Sequence, residues 1–372
     1  MREEMVAVLF KWLLGVYREI DLDEAELLKL SERHRVDSLL YPRIKEISNF
    51  SSTFKYAVKT AYLNNFHRVS VAQNFLHELD DFFQNAGIIG LVLKGIVLSE
   101  NYYDDRVSRH ARDLDLLVDL RHVEIVRNWL LGKGFFSDTN FTKYNKKQQE
   151  QFFRLNHHLV FYGSDPVHPR VVELHWKLRS DDDAFGMDPF NNKSELLSTR
   201  YKCLFALNHL DQFIYLCVHG SEHAWYRLKW LMDLPMILMH KQFGWKKMEQ
   251  RASELNAVEH LQLALYVLCK ISGQLFVDGY EPMKMSRNIK RKSGYVLLKL
   301  TKDDFIELGY KTAFENLLFI AGFNKRMLSL RFWSSRWITS ADWLRFPLPE
   351  KFFFLYYPMR PFFWLIRRCS NN

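Results

Sequence analysis

The sequence is poor in the residues that break helices. Its 372 residues hold 15 glycines and 10 prolines, about 7% where an average chain has near 12%. That shortage argues against a many-turned all-β fold and for long helices. Cysteine is scarce too. Cys203, Cys217, Cys269 and Cys369 stand far apart with no C-x-x-C pair, which excludes a disulfide framework and a cysteine zinc cluster and predicts reduced thiols in a cytoplasmic protein. No window reaches the ~18 uncharged apolar residues of a membrane span. The nearest stretch, 352–366, is broken by Pro358, Arg360 and Pro361. The start of the chain carries Glu3, Glu4 and Lys11 among its apolar residues, so it reads as an amphipathic helix and not as a signal peptide.

What is present is ordinary globular material, 48% hydrophobic and 26% charged, enough for a sizeable core and inconsistent with disorder. The net charge of +9 is unevenly placed. Residues 1–240 carry 30 basic and 32 acidic side chains, whereas residues 241–372 carry 22 and 11. The chain as a whole is therefore no nucleic-acid coat. Its basic last third, with the run Lys284, Arg287, Lys290, Arg291 and Lys292, leaves nucleic acid or an anionic membrane surface as partners of that part alone. Peripheral membrane attachment through the aromatic tail belongs to the same expectation.

Residues 1–85 read as an N-terminal helical region, because Phe54 to Phe83 contains neither Gly nor Pro and Gly87 supplies a left-handed cap. The character changes at residue 86. Ile88 to Leu93 and Asp113 to Val118 are short apolar runs of the kind buried strands need, with a helix near 121–131 and further strands near 135–136, 158–162 and 170–176. Residues 86–180 thus form an α/β core with four or five strands. Residues 181–200, opening on Asp181-Asp182-Asp183, form a linker or lid. Residues 201–340 return to helical periodicity, and 341–372 are an aromatic, basic tail.

Chemistry concentrates in Leu93-Lys94-Gly95 and, eighteen residues on, Asp113-Leu114-Asp115. Residues i and i+2 of a strand share a face, so two acids there repel each other beside apolar neighbours. A divalent cation relieves that repulsion, and Mg²⁺ suits carboxylates while leaving room for substrate phosphates. Glu173 within Val171-Val172-Glu173-Leu174-His175-Trp176 is an acid in an apolar strand and the best third carboxylate. Such a trio would hold two ions. Lys94 offers a point charge, and Gly95 lets a backbone corner approach phosphate closely. His219 and His223 stand at i, i+4 without the glutamate of a protease motif. They are read, like His158 and His175, as substrate-facing or structural.

The order helix, strand, Leu-Lys-Gly, helix, loop, Asp-x-Asp-Leu-Leu-Val, helix resembles the nucleotidyltransferase superfamily typified by DNA polymerase β. More narrowly, the chain resembles a group of uncharacterised bacterial nucleotidyltransferases. The narrower likeness rests on Arg33-His34-Arg35-Val36, Leu39-Leu40-Tyr41, Leu93-Lys94-Gly95, Arg112 to Val118, His157-His158, Glu173 to Trp176, His219-Gly220, His223, Trp225, Arg227 to Trp230, and Asp233. It spans about residues 20–245. The resemblance implies an α+β fold, a mixed sheet core flanked by N-terminal and C-terminal helical regions. It implies Mg²⁺- or Mn²⁺-dependent transfer of a nucleoside monophosphate from a nucleoside triphosphate to an acceptor (a small molecule, a peptide or a saccharide), with release of pyrophosphate. By the same likeness Asp113, Asp115 and Glu173 hold metal, Lys94 and Gly95 face the phosphates, and Arg112, Arg227 and Lys229 reach them. Arg112 stands where the narrower group often has a small residue. That difference motivates a second reading, an inactive nucleotide- or partner-binding module. A third reading, a glycosyltransferase holding its metal with the Asp-x-Asp pair, requires a long α/β segment ahead of Asp113.

Overall fold

The computed structural model describes residues 2–45, 47, 49–139, 141–164, 167–179, 185–191, 195–302, 315, 318–319 and 337–369. Asp181-Asp182-Asp183 and most of the helical periodicity expected between residues 303 and 330 lie outside them.

Four helices open the chain: α1 (Arg2–Leu13), α2 (Glu24–His34), α3 (Asp37–Ile44) and α4 (Ser52–Ala86). The breaker-free run forms one helix of 35 residues. Ser51 Oγ accepts the Phe54 N–H at its start, and Gly87 at φ 66° ends it by donating to the carbonyls of Phe83 and Gln84. That is the left-handed cap which glycine adopts without penalty.

A seven-stranded mixed sheet follows, in the order β3-β4-β5-β2-β1-β7-β6. Its strands are β1 (Gly90–Val92), β2 (Leu114–Val118), β3 (Phe135–Phe136), β4 (His158–Gly163), β5 (Val171–His175), β6 (Leu197–Ser198) and β7 (Leu204–Ala206). Between them lie α5 (Ile96–Tyr102), α6 (Val123–Gly132) and α7 (Lys146–Leu155). β2 runs parallel to β5 and β1 parallel to β7; the remaining neighbours are antiparallel. The chain is thus a mixed α/β fold, a seven-stranded mixed sheet with flanking helices.

Two details differ from the expected strands. β1 is shorter than the apolar run, because the Ile88 N–H completes the end of α4 on Phe83 O. β2 begins at Leu114, so Asp113 lies just ahead of the ladder. The sheet also continues past residue 180 through β6 and β7. Each has two or three residues, too few to show alternation in a sequence.

Alternation along β1 divides the core. Leu91, Leu93 and Leu117 join one apolar cluster with α1 and the helices α8 (His209–Glu222), α9 (Leu228–His240), α10 (Trp245–Glu254), α11 (Val258–Ser272) and α12 (Arg287–Thr301). Val92, Leu114, Leu116 and Val118 join a second with the last turns of α4, α6 and the C-terminal Trp343, Tyr356 and Phe363. Helices therefore cover both faces. No helix among the described residues is long and apolar enough to cross a membrane.

Asp80 ties the sheet edge to α4. Its carboxylate accepts the N–H groups of Lys202 at 3.0 Å and Cys203 at 2.7 Å, and Cys203 O accepts the Gly90 N–H at 3.0 Å. Asp80→Ala leaves those donors without acceptors and is expected to cost about 1–3 kcal/mol. Urea denaturation checks this: a lower midpoint with unchanged slope is expected, and an unchanged midpoint refutes the role.

Candidate active site

The register of β2 on β5 sets Asp115 beside Glu173. Both belong to the same face of the sheet, and His175 follows two residues on. One ligand atom from each of Asp115, Glu173 and His175 lies within 4.8 Å of the others. Lys94, two residues beyond the end of β1, brings its Nζ to 3.0 Å from Asp115 Oδ1. His175 Nε2 lies 3.2 Å from Glu173 Oε2 and 3.5 Å from Asp115 Oδ1. Burial alone would raise the Asp115 carboxyl, but Lys94 and His175 hold it well below the usual range. Burial likewise pushes Lys94 and His175 down, and the acids more than offset it. Both stand above their ordinary values, Lys94 through Asp115 foremost and His175 through Asp115 and Glu173.

Gly95 makes the corner between β1 and α5. Its φ is 68°, and a Cβ there would come 3.3 Å from Asp113 O, so the corner needs glycine. Asp113 stands outside the Asp115–Glu173–His175 trio, at the mouth. Burial first, and then the Asp115 charge, raise its carboxyl above the usual range. Arg112 is 59% exposed and approaches Asp113 at 3.8 Å, at the rim of the cleft that it helps to line.

Four residues from distant elements hold the loop ahead of β2. Asn65 of α4 donates to Val107 O and Arg109 O at 2.6 and 2.9 Å and accepts the Ala111 N–H at 3.0 Å. Ser38 Oγ donates to Ser108 O at 2.7 Å. Arg109 grips Asp233 of α9 with Nε at 2.7 Å and Nη2 at 2.8 Å, and Tyr103 O–H donates to the same carboxylate at 2.7 Å. The pair is almost fully buried, at 4% and 1% exposure. Sequence reasoning read this stretch only as a polar loop and missed Asn65 and Arg109. The one signal for Asn65 was a polar residue within a long breaker-free helix.

These elements enclose a cleft of about 500 Å³. Every site residue singled out from the sequence lines it except Arg227, whose guanidinium stands 5.2 Å over the Tyr226 ring. Arg35, His157, Tyr226 and Trp230 also line it and were not foreseen as site residues. His158 sits opposite His175 in the β4–β5 ladder, with Nδ1 2.9 Å from His157 Nε2. His223 opens to the cleft and stacks on Trp230, with centroids 4.9 Å apart at 27°.

Burial is the main reason these imidazoles stay neutral, reinforced by a positive or imidazole neighbour. His157 falls to about 2, with His158 adding to burial, and His158 to about 4, with His175 adding. His223 falls to about 4 and His219 well below its usual value, with Lys94 the next cause for both. Neutral rings here can accept as well as donate hydrogen bonds. Lys229 is lowered to about 7 by burial and then by Arg109 and Arg35.

A family model described as "Uncharacterised nucleotidyltransferase" matches residues 21–272. The chain belongs to this family. The match runs from α2 to the end of α11 and so includes every residue that forms the cleft. Membership makes the protein a transferase of the nucleotidyl class. No curated protein and no solved structure matches the chain significantly.

Asp233→Asn leaves Arg109 buried against a neutral partner, an expected loss of about 3–5 kcal/mol. Chemical denaturation is the check, and a loss under about 1 kcal/mol contradicts the lock. Lys229 gives a pH prediction. Its folded value near 7 lies below the unfolded value near 10.5, so between those values the unfolded chain binds more protons and stability rises with pH. Measured at pH 7 and pH 9.5, Lys229→Met should show a smaller rise than the wild type. Equal rises refute the depressed ammonium.

Proposed function

We propose that this cleft transfers a nucleoside monophosphate from a nucleoside triphosphate to an acceptor, with Mg²⁺ or Mn²⁺ as the required ion. The observation that carries the reading is the parallel register that sets the buried Asp115 beside the half-buried Glu173. The donors fit such an ion. Two carboxylates and an imidazole converge within 4.8 Å, and His175 Nδ1 is buried with no hydrogen-bond partner among the described residues. Carboxylates suit Mg²⁺, and the imidazole extends the choice to Mn²⁺. A divalent ion bound there supplies charge neutralisation for the α-phosphate and for departing pyrophosphate.

The chain's own groups do the rest. Lys94 holds Asp115 ionised, and its ammonium lies near the Gly95 corner where phosphates can approach. The acceptor oxygen forms a bond to the α-phosphorus, the α–β bridging bond breaks, and pyrophosphate leaves with that electron pair. Asp113, more basic than a surface carboxylate and placed at the mouth, takes the acceptor's proton. The exposed rim position of Arg112 favours transfer over an inert module. Helices dominate residues 2–86, so only β1 and α5 stand ahead of Asp113, short of the long α/β segment that the glycosyltransferase reading requires.

Incubation with α-labelled nucleoside triphosphates, Mg²⁺ or Mn²⁺ and cell extract tests the proposal. Label should enter an acceptor, and Asp115→Asn and Glu173→Gln should each reduce transfer by about 100-fold. No transfer by the wild type, or undiminished transfer by both variants, overturns it.

A further inference from the structure

One part of the cleft carries cations that the protein does not neutralise. Lys229, in the first turn of α9, is 9% exposed. Among the described residues its ammonium has no hydrogen-bond or ion-pair partner. Burying an ammonium in that state is unfavourable, which is why Lys229 sheds its proton readily, and a ligand that supplies an anion would hold the charged form. The acid one turn further on cannot supply it, because both oxygens of Asp233 already accept from Arg109 and one from Tyr103.

Arg35 adds a second charge and a second oddity. It ends α2 at φ 54° and ψ 46°, a left-handed conformation that an arginine adopts only at a cost. Its guanidinium also lacks an ion-pair partner among the described residues, and it lines the cleft. The end of α2 is anchored at the entry to α9. Arg33 Nη1 donates to Tyr226 O at 2.9 Å, and the Leu228 N–H donates to His34 Nδ1 at 3.3 Å. The same anchor therefore brings Arg35 and Lys229 together. Arg112 is the third cation, with only its long 3.8 Å approach to Asp113. Beyond burial, Arg112 pushes Arg35 down, and Arg109 and then Arg35 push Lys229 down.

We propose that Arg35, Arg112 and Lys229 form a seat for a polyanion that bears phosphate. Two guanidinium forks and one ammonium match phosphate oxygens. The occupant is either the donor's triphosphate or a phosphorylated acceptor. This deepens the transfer reading of the same cleft and rests on it for the choice of occupant. The seat itself does not need metal.

Calorimetric titration of the full chain with inorganic tripolyphosphate, in buffer free of divalent ions, tests it. Saturable binding is expected, and Lys229→Met and Arg35→Gly should each weaken it by about 10-fold or more. Arg35→Gly should also leave the melting temperature unchanged or higher, since glycine suits φ 54°. That separates loss of the seat from loss of the fold. Failure of the wild type to bind, or wild-type affinity in both variants, overturns the seat even if nucleotidyl transfer is demonstrated. Retained binding with the expected losses supports it even if transfer fails. An α,β-methylene nucleoside triphosphate with Mg²⁺ then identifies the occupant. Competition with tripolyphosphate assigns the donor, and simultaneous binding assigns a phosphorylated acceptor.

Discussion

Two carboxylates cannot lie buried on neighbouring strands unless positive charge joins them. Asp115 is buried with the half-buried Glu173 beside it on the next strand, and the site depends on how the charge is balanced. Lys94 and His175 provide the balance in this structure. Their placement follows from the sheet. β1 pairs antiparallel with β2, and the Leu93 N–H still reaches Asp115 O at 3.0 Å, so Lys94 emerges beside the acid. Gln212 of α8 holds the same strand end by donating to Leu93 O at 3.1 Å. A shift of β2 against β5 by one residue would send the acids to opposite faces.

Around this acidic centre the chain closes a cleft from parts far apart in sequence. Asn65 reaches Val107, Arg109 reaches Asp233, and Arg33 reaches Tyr226. These bonds make the N-terminal and C-terminal helices walls of the site and not mere supports. They also divide it electrically. The carboxylates of Asp115 and Glu173 lie with Lys94 and the histidines, whereas Arg35, Arg112 and Lys229 gather near Asp113 and the Arg109-bound Asp233. Phosphate chemistry uses both kinds of surface: one part that binds cations and one that binds anions.

Much of this was legible in the sequence, and the reasons are physical. An acid in an apolar strand must have a purpose, which exposed Asp115 and Glu173. A breaker-free run of thirty residues can only be helix, which gave α4. Lys94-Gly95 was legible because a strand that ends in glycine before a helix marks a tight corner. The losses have causes as definite. β6 and β7 are too short for a pattern. Asn65, Arg109 and Arg35 are single polar residues whose roles depend on partners far along the chain. Arg227 misled because it stands two positions before Lys229. Arg227 is the extended residue just ahead of α9, whereas Lys229 lies within its first turn, and of the two only Lys229 lines the cleft.

The central claim is that Asp115 and Glu173 exist to share an ion. Anomalous diffraction from crystals grown with Mn²⁺ tests it most directly. A peak within coordination distance of both carboxylates, absent in Glu173→Gln crystals of the same form, is the expected result. A Mn²⁺ peak bound elsewhere, or none while the Lys94–Asp115 ion pair persists, contradicts it.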